Sequence, residues 1–355
     1  MALKYVYEKV RDKIRKEIMQ YRNCDEEIWF WESKYADDLG VSRMTVRKAV
    51  EELVNEGLII RVPGKGITIR KAKNNGMDLS HRLAFLIKHD PYDDYFSKTI
   101  TGCIGCANEN EYYYTIYNFD SFSDQKTYIE KIIQNNIDGI ILSVFPENEI
   151  EYLKLFEDLS NRNIPFILID NVFDDAVDRF PYVVSDDVAG GYTAAKYLIE
   201  HGHKKIAFFY DRLDVHSIKL RYQGYRKALE ENGIKFKDYF LFNSEEPNLA
   251  ERLFFLVEKQ GITAATTYSD KCISKIYHEL IALGYKIPED MSLVGYGNLL
   301  ISRVLETPLT TIEVPVFEIG KTACEILIRY LEGDGQLSNK IFDIKLLERN
   351  SVLPK

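Results

Sequence analysis

Arg43 and Arg47 lie one helical turn apart, with Thr45 and Lys48 beside them and Ser42 just ahead. Guanidinium forks and hydroxyls gathered on one turn are the groups that meet phosphate oxygens and guanine edges. A second set stands far along the chain. Asp170 and Asp270 follow short apolar runs, Arg221 opens a helical pattern, and Tyr95 and Phe96 lie beyond another apolar run. A carboxylate and a guanidinium aimed into a cleft, flanked by aromatic rings, grip vicinal hydroxyls and cover the apolar face of a sugar. One chain thus offers two chemistries, one suited to nucleic acid and one to a small polyhydroxyl ligand.

The first set needs a helix to carry it. In Ser33–Leu39, Tyr35, Ala36 and Leu39 fall at helical spacing, and Gly40 suits the left-handed conformation that ends a helix. Val41 fills the turn, and Ser42 is a favourable N-cap. Over Arg43–Glu56, Val46, Ala49, Val50 and Leu53 recur at i, i+3, i+4 and i+7, so this helix buries one face and leaves Arg43 and Arg47 off it. Asn55-Glu56-Gly57 stops it. Leu58–Val62 then reads as a strand, Pro63–Gly66 as a tight turn tipped by Gly64 and Lys65, and Ile67–Arg70 as the return strand. Upstream, Val6, Val10, Ile14 and Ile18 give Leu3–Tyr21 an amphipathic stripe that closes a small core. That order of parts lays one helix in a DNA major groove with a β-hairpin alongside.

The second set needs a sheet. Lys71–Ser80 is polar and aperiodic and reads as a linker, so the boundaries fall at 1–70, 71–80 and 81–355. Beyond it, apolar strands alternate with amphipathic helices. The strands are Leu83–Ile87, Tyr112–Tyr117, Gly139–Leu142, Phe166–Ile169, Tyr182–Val184, Ile206–Phe209, Ala264–Thr267 and Ser292–Gly295. Helices such as Gly190–His201 and Tyr222–Asn232 fill the gaps. The pattern is that of an α/β domain with two lobes, each a doubly wound parallel sheet. Ligands then bind at the carboxyl ends of the strands, between the lobes.

Composition agrees with two parts of different character. The 355 residues carry a net charge of −9, but residues 1–73 hold 16 Lys+Arg against 12 Asp+Glu, while the rest hold 30 against 43. A basic head on an acidic body fits a DNA reader joined to a domain that does not touch DNA. No N-terminal apolar segment and no long apolar run is present, which predicts a cytoplasmic protein without a signal peptide or membrane partner. The five cysteines are scattered, as expected of reduced thiols, and Cys103 and Cys106 read as small apolar filler on a helix. There is no G-x-S-x-G elbow, no phosphate-cradling loop and no metal-ligand cluster. His203 reads as structural. Neither catalysis nor a cofactor or metal is expected.

Two resemblances attach to these residues. Val41-Ser42-Arg43-x-Thr45-Val46-Arg47-x-Ala49, then Leu53-x-x-Glu56-Gly57-Leu58-Ile59 and Gly64-Lys65-Gly66, resemble the winged-helix domain of GntR-type bacterial regulators. That resemblance implies DNA contacts at Ser42, Arg43, Thr45 and Arg47, with Gly64 and Lys65 at the wing tip. Where the family has Pro-Ser-Glu-Arg entering the second helix, this chain has Phe30-Trp31-Glu32-Ser33, leaving Lys34 as the nearest cation. The stretch from Val183 through Ser185-Asp186-Asp187 to Gly190, Gly202-His203 and Ile206 is similar to the effector domain of LacI/GalR repressors. So are Arg221-x-x-Gly224-Tyr225, Ile287–Tyr296 and Pro308–Ile312. A GntR-type head on such a body resembles the arabinose-repressor class of hybrid regulators. It implies effector contacts at Phe96, Asp170, Ser185, Arg221, Ser269 and Asp270.

The chain departs from that second pattern where Gly-Tyr/Phe-Asp-Asp is usual, reading Gly295-Tyr296-Gly297-Asn298, and has Ser269-Asp270 where Asn-Asp is usual. Either the effector lacks a polar group there, as a deoxysugar or a pentose does, or Asn298 and Ser269 substitute. Lys71–Ser80 also shows no apolar stripe like that of a LacI-type hinge helix, so coupling to DNA is expected to run through linker tension and dimer geometry. The resemblance therefore implies a homodimeric repressor of carbohydrate uptake or catabolism genes that reads a palindromic operator and is controlled by a sugar effector. The alternative is the same architecture sensing a non-sugar small molecule.

Overall fold

The computed structural model describes residues 7, 9–16, 29–55, 59–62, 66–69, 80–88, 94–134, 137–145 and 148–355. The chain divides into two compact units, one of residues 1–78 with 329–336 and the other of 79–328 with 337–355.

The first unit's core is built from the apolar stripes of the sequence. Val10 and Ile14, on a helix over residues 9–16, pack with Ala36 of helix Glu32–Leu39 and with Val46, Ala49, Val50 and Leu53 of helix Arg43–Asn55. Ile59 and Ile67 of strands Ile59–Val62 and Gly66–Ile69 complete it. Gly40 takes the left-handed conformation at φ 62°, and Val41 N–H then bonds Ala36 O at 3.0 Å, closing the turn. A third strand, Trp29–Phe30, pairs with Gly66–Ile69 and widens the hairpin into a three-stranded sheet. It is absent from the sequence reading because two residues show no period. The wing-tip residues Gly64 and Lys65, most of the linker and parts of the upstream helix lie outside the described residues.

The second unit holds two sheets of six strands each. One orders Lys340–Phe342, Tyr182–Ser185, Phe166–Ile169, Gly139–Leu142, Arg82–Leu86 and Tyr113–Ile116, all parallel. The other orders Leu241–Asn243, Ile206–Tyr210, Ala264–Thr267, Ser292–Tyr296, Thr310–Glu313 and Lys345–Leu347, parallel except for the last strand. In each sheet the first strand in sequence lies inside the second, so the order reverses beside it and a crevice opens at the carboxyl ends there. The first lobe is filled by rings, with Tyr152, Phe156, Phe166, Phe173 and Phe180 in contact.

The chain passes between lobes three times, after Ser185, after Glu313 and after Phe342. Two of these passages run side by side, with Asp186 N–H bonded to Phe342 O at 2.9 Å. The strands expected from sequence are present to within a residue or two at each end. Four further strands of this unit carry no signal in the sequence. Thr310 and Thr311 of one are fully buried hydroxyl residues, and the other three span three residues each, too few to display alternation.

Candidate functional site

On the first unit the candidate face is the exposed edge of helix Arg43–Asn55. Ser42 caps it, its Oγ accepting from Thr45 N–H at 3.2 Å and lying 2.9 Å from Thr45 Oγ1. Burial of Val46, Ala49, Val50 and Leu53 turns Arg43, Arg47 and Lys48 to solvent, and Lys34 is exposed on the helix before. Arg47 Nε stands 3.4 Å from Glu51 Oε1, and Lys48 Nζ 5.0 Å from the Tyr7 ring centroid. Arg61 of the hairpin pairs with Glu32, tying wing to helix. Sequence reasoning missed Met44, which at 71% exposed presents an apolar side chain beside Arg43 and Arg47. The signal was available, since Met44 falls off the apolar face.

In the second unit the cleft is organised by Asp187, the first residue of helix Asp187–Glu200, where the chain has just crossed between lobes. Asp187 is 4% exposed, and its Oδ1 accepts from Arg221 Nε at 2.8 Å and from Tyr296 OH at 2.9 Å. Ser185 Oγ stands 3.4 Å from the same oxygen. The Arg221 guanidinium also donates from Nη1 to Tyr268 O at 2.6 Å and lies 4.0 Å from the Tyr296 ring centroid. Burial alone would lower the Arg221 pKa, but the Asp187 charge and the neighbouring phenols raise it overall. Tyr95 bonds Asp170 across the same space. Burial, then the Asp170 charge, hold its phenol well above the usual value, so it remains a donor.

Small residues make this cluster possible. A Cβ on Gly191 would stand 1.8 Å from Arg221 O, and one on Gly224 would stand 2.0 Å from Val188 O. Helices Asp187–Glu200 and His216–Glu231 therefore touch backbone to backbone, which brings Arg221 onto Asp187. A Cβ on Gly190 would stand 2.2 Å from Tyr296 OH, so that glycine gives the phenol its place.

The expected effector residues divide into two groups. Asp170, Ser185, Arg221 and Tyr95 converge as described, and Phe96 joins them edge-on to Tyr95 with centroids 5.3 Å apart. Arg221 sits in the second turn of its helix, which begins at His216 rather than near Tyr222. The start was hidden because Val215 supplies no cap. Asn171 of the other lobe caps it instead, its Oδ1 accepting from Ser217 N–H at 3.2 Å.

Ser269, Asp270 and Asn298, the other expected contacts, are each engaged within their own lobe. Ser269 is the N-cap of helix Asp270–Ala282, accepting from Lys271 N–H at 3.3 Å. Asp270 is fully buried, its oxygens taking Thr311 Oγ1 at 2.7 Å and Leu299 N–H at 2.8 Å. Burial pushes its carboxyl up to about 6. Asn298 donates to Glu313 Oε1 at 2.7 Å and accepts from Arg349 Nη2 at 2.7 Å. Its side chain is committed within its own lobe and does not replace the missing acceptor at Gly297. Asp187 and Tyr296, in contrast, join the cluster although the sequence reading names neither as a contact. The strand-end position of Asp187, two residues past Ser185, was the signal that could have found it.

Further contacts bridge the lobes at the cleft. Asp174 Oδ2 accepts from Lys219 Nζ at 2.6 Å, His216 Nδ1 stands 2.8 Å from Asp174 Oδ1, and Leu300 N–H bonds Asp94 Oδ1 at 3.1 Å. Lys219, then His216, hold the Asp174 carboxyl below its usual range. Beside the cluster is a cavity of about 420 Å³ with Asp170, Ser185 and Asp187 in its wall. Among the described residues, no group of three or more His, Cys, Asp or Glu could hold a metal ion, and no helix is long and apolar enough to cross a membrane.

Three family models match the chain. Residues 6–69 match the bacterial regulatory proteins of the gntR family, residues 83–255 a periplasmic binding protein domain, and residues 195–352 a periplasmic binding protein-like domain. An arabinose metabolism transcriptional repressor of Halalkalibacterium halodurans is 29% identical over 343 residues, covering 90% of this chain and 89% of that one. The NTD biosynthesis operon regulator NtdR of Bacillus subtilis is 30% identical over 248 residues, covering 67% and 73%. Among solved structures, a transcriptional regulator CelR–cellobiose complex superposes with a TM-score of 0.68 at 20% identity, covering 87% of this chain and 90% of that one. A LacI family regulator from Enterococcus faecium with bound ribose gives 0.63 at 23%, covering 77% and 99%.

Proposed function

The chain belongs to the bacterial transcriptional regulators that join a GntR-type winged helix to a periplasmic-binding-protein-like domain, and on that premise we propose that it is a sugar-responsive repressor of carbohydrate uptake or catabolism genes. Its relatives are regulators rather than enzymes. The observation that carries the effector reading is the Asp187 cluster, in which Arg221, Tyr296, Tyr95 and Asp170 face one another between two lobes of a chain whose other unit reads DNA. A pentose or deoxysugar is favoured. Gly297 supplies no carboxylate and Asn298 is bound elsewhere, so a hydroxyl placed there would be left unpaired, at a cost of about 1–3 kcal/mol.

Two copies pair through the sensor, a reading supported by Leu300 and Val304, exposed apolar side chains one helical turn apart. The paired heads then read a palindromic operator through Arg43, Arg47, Lys48, Ser42 and Thr45, with Lys34 on a phosphate. Effector binding shifts the lobes and so the spacing of the heads.

The test uses duplex DNA selected by the full-length protein from a random pool. Arabinose, xylose, ribose and fucose are then titrated into the complex while affinity is measured. At least one should change DNA affinity about fivefold or more. No response to any sugar would end the switch model. Arg43→Ala should weaken selected DNA by about 1–3 kcal/mol, and an unchanged affinity would remove this helix from the contact surface.

A further inference from the structure

The cavity beside the Asp187 cluster is lined by side chains of two kinds. Asp170, Ser185 and Asp187 bring it polar groups, with Asp174 and Asp178 also in its wall. It also reaches the paired strands Tyr182–Ser185 and Lys340–Phe342, where Val184 stands opposite Ile341, and Val172, Val177, Leu220 and Ile341 give it apolar surface. Ile341 is 52% exposed although apolar. None of these four offers a hydrogen bond, so a hydroxyl moved against them loses its water without compensation. At about 420 Å³ the space lies within the range that holds ligands larger than a single sugar ring. Charge narrows the choice further. Five aspartates line the cavity against one histidine, and the nearby cations Lys219 and Arg221 are already paired with Asp174 and Asp187.

We propose that the effector is an uncharged glycoside, its sugar held by Asp170 and Asp187 and an apolar aglycone lying against Val172, Val177, Leu220 and Ile341. This rests on the sugar reading above and names the class of sugar derivative. A free monosaccharide leaves the apolar wall uncovered, and a sugar phosphate meets an excess of carboxylates.

Calorimetric titration of the full-length protein tests it with three sets of probes: free arabinose, xylose and ribose; their nitrophenyl glycosides; and arabinose phosphate. A nitrophenyl glycoside should bind about tenfold tighter than its parent sugar, which is about 1.4 kcal/mol. The phosphate should not bind. Ile341→Ser, at an exposed position that tolerates a polar residue, should reduce that preference and leave the free sugar's affinity unchanged. The proposal is overturned if a free sugar binds as tightly as its glycoside, if the phosphate binds tighter than either, or if Ile341→Ser leaves the preference intact. If free sugars bind and glycosides do not, the sugar reading survives and the aglycone falls. If neither binds, both fall together.

Discussion

Replacing Asp187 with alanine should destabilise the sensor by about 3–5 kcal/mol, the usual cost of removing one partner from a buried ion pair. The structure sets that magnitude. Asp187 and Arg221 are 4% and 8% exposed, and the carboxylate accepts from Arg221 Nε and Tyr296 OH on one oxygen. Without it, the guanidinium keeps Tyr268 O as an acceptor and lies against the Tyr296 ring with its countercharge removed. Asp187→Asn retains an acceptor for Tyr296 and should lose about 1.5–3 kcal/mol, the worth of hydrogen bonds to a charged group. Adding Arg221→Met to Asp187→Ala removes the stranded charge, so the double variant should be less destabilised than the sum of the singles by about 1–3 kcal/mol. Urea unfolding followed by far-UV circular dichroism measures these losses. The only two tryptophans, Trp29 and Trp31, lie in the first unit, so tryptophan fluorescence should report a head transition that the variants leave in place. A loss below about 0.5 kcal/mol for Asp187→Ala, or strictly additive single losses, would refute the reasoning.

Asp270 predicts a pH dependence of definite sign. Its folded pKa of about 6 stands above the unfolded value, so the folded state holds the proton longer and its stability falls as pH rises from about 4 to 6, then levels. The contribution is about 2–3 kcal/mol, and Asp270→Asn should remove that slope from the difference between wild-type and variant urea midpoints. A parallel pair of profiles would reject it. Gly224→Ala inserts a Cβ where Val188 O stands 2.0 Å away, forcing the two helices apart at a cost of about 1–3 kcal/mol and weakening effector binding through Arg221. Unchanged thermal stability would show that the helices can part freely. Asn298→Ala should leave effector affinity as it was, because Glu313 and Arg349 already occupy the amide. A large loss in calorimetric affinity would return Asn298 to the binding site.

Periodic elements were legible and their long-range consequences were not. Val46, Ala49, Val50 and Leu53 announce a helix because its 3.6-residue period is written locally, and Phe166–Ile169 announces a strand because a sheet covered on both faces demands an unbroken apolar run. Asp170 and Arg221 could be nominated because strand ends and a family pattern both point to them. Nothing local distinguishes Asp270 from Asp170, yet one is sealed among Thr311 and Leu299 while the other meets Tyr95. The difference depends on residues tens of positions away. Helix His216–Glu231 illustrates the same limit at its start, since its cap, Asn171, belongs to the other lobe and cannot be found by reading the residues beside Val215.

The three passages between lobes have a consequence for how the protein is made. Strand Tyr182–Ser185 leaves the ribosome early, but its neighbour Lys340–Phe342 arrives only after the whole second lobe except its own last strand. At about 5–20 residues per second the first lobe waits many seconds with an open sheet edge, exposed to wrong pairings that chaperones must screen. The head, emerging first, has no such wait. For that interval a nascent chain holds its winged-helix head before either sheet of the second unit is complete.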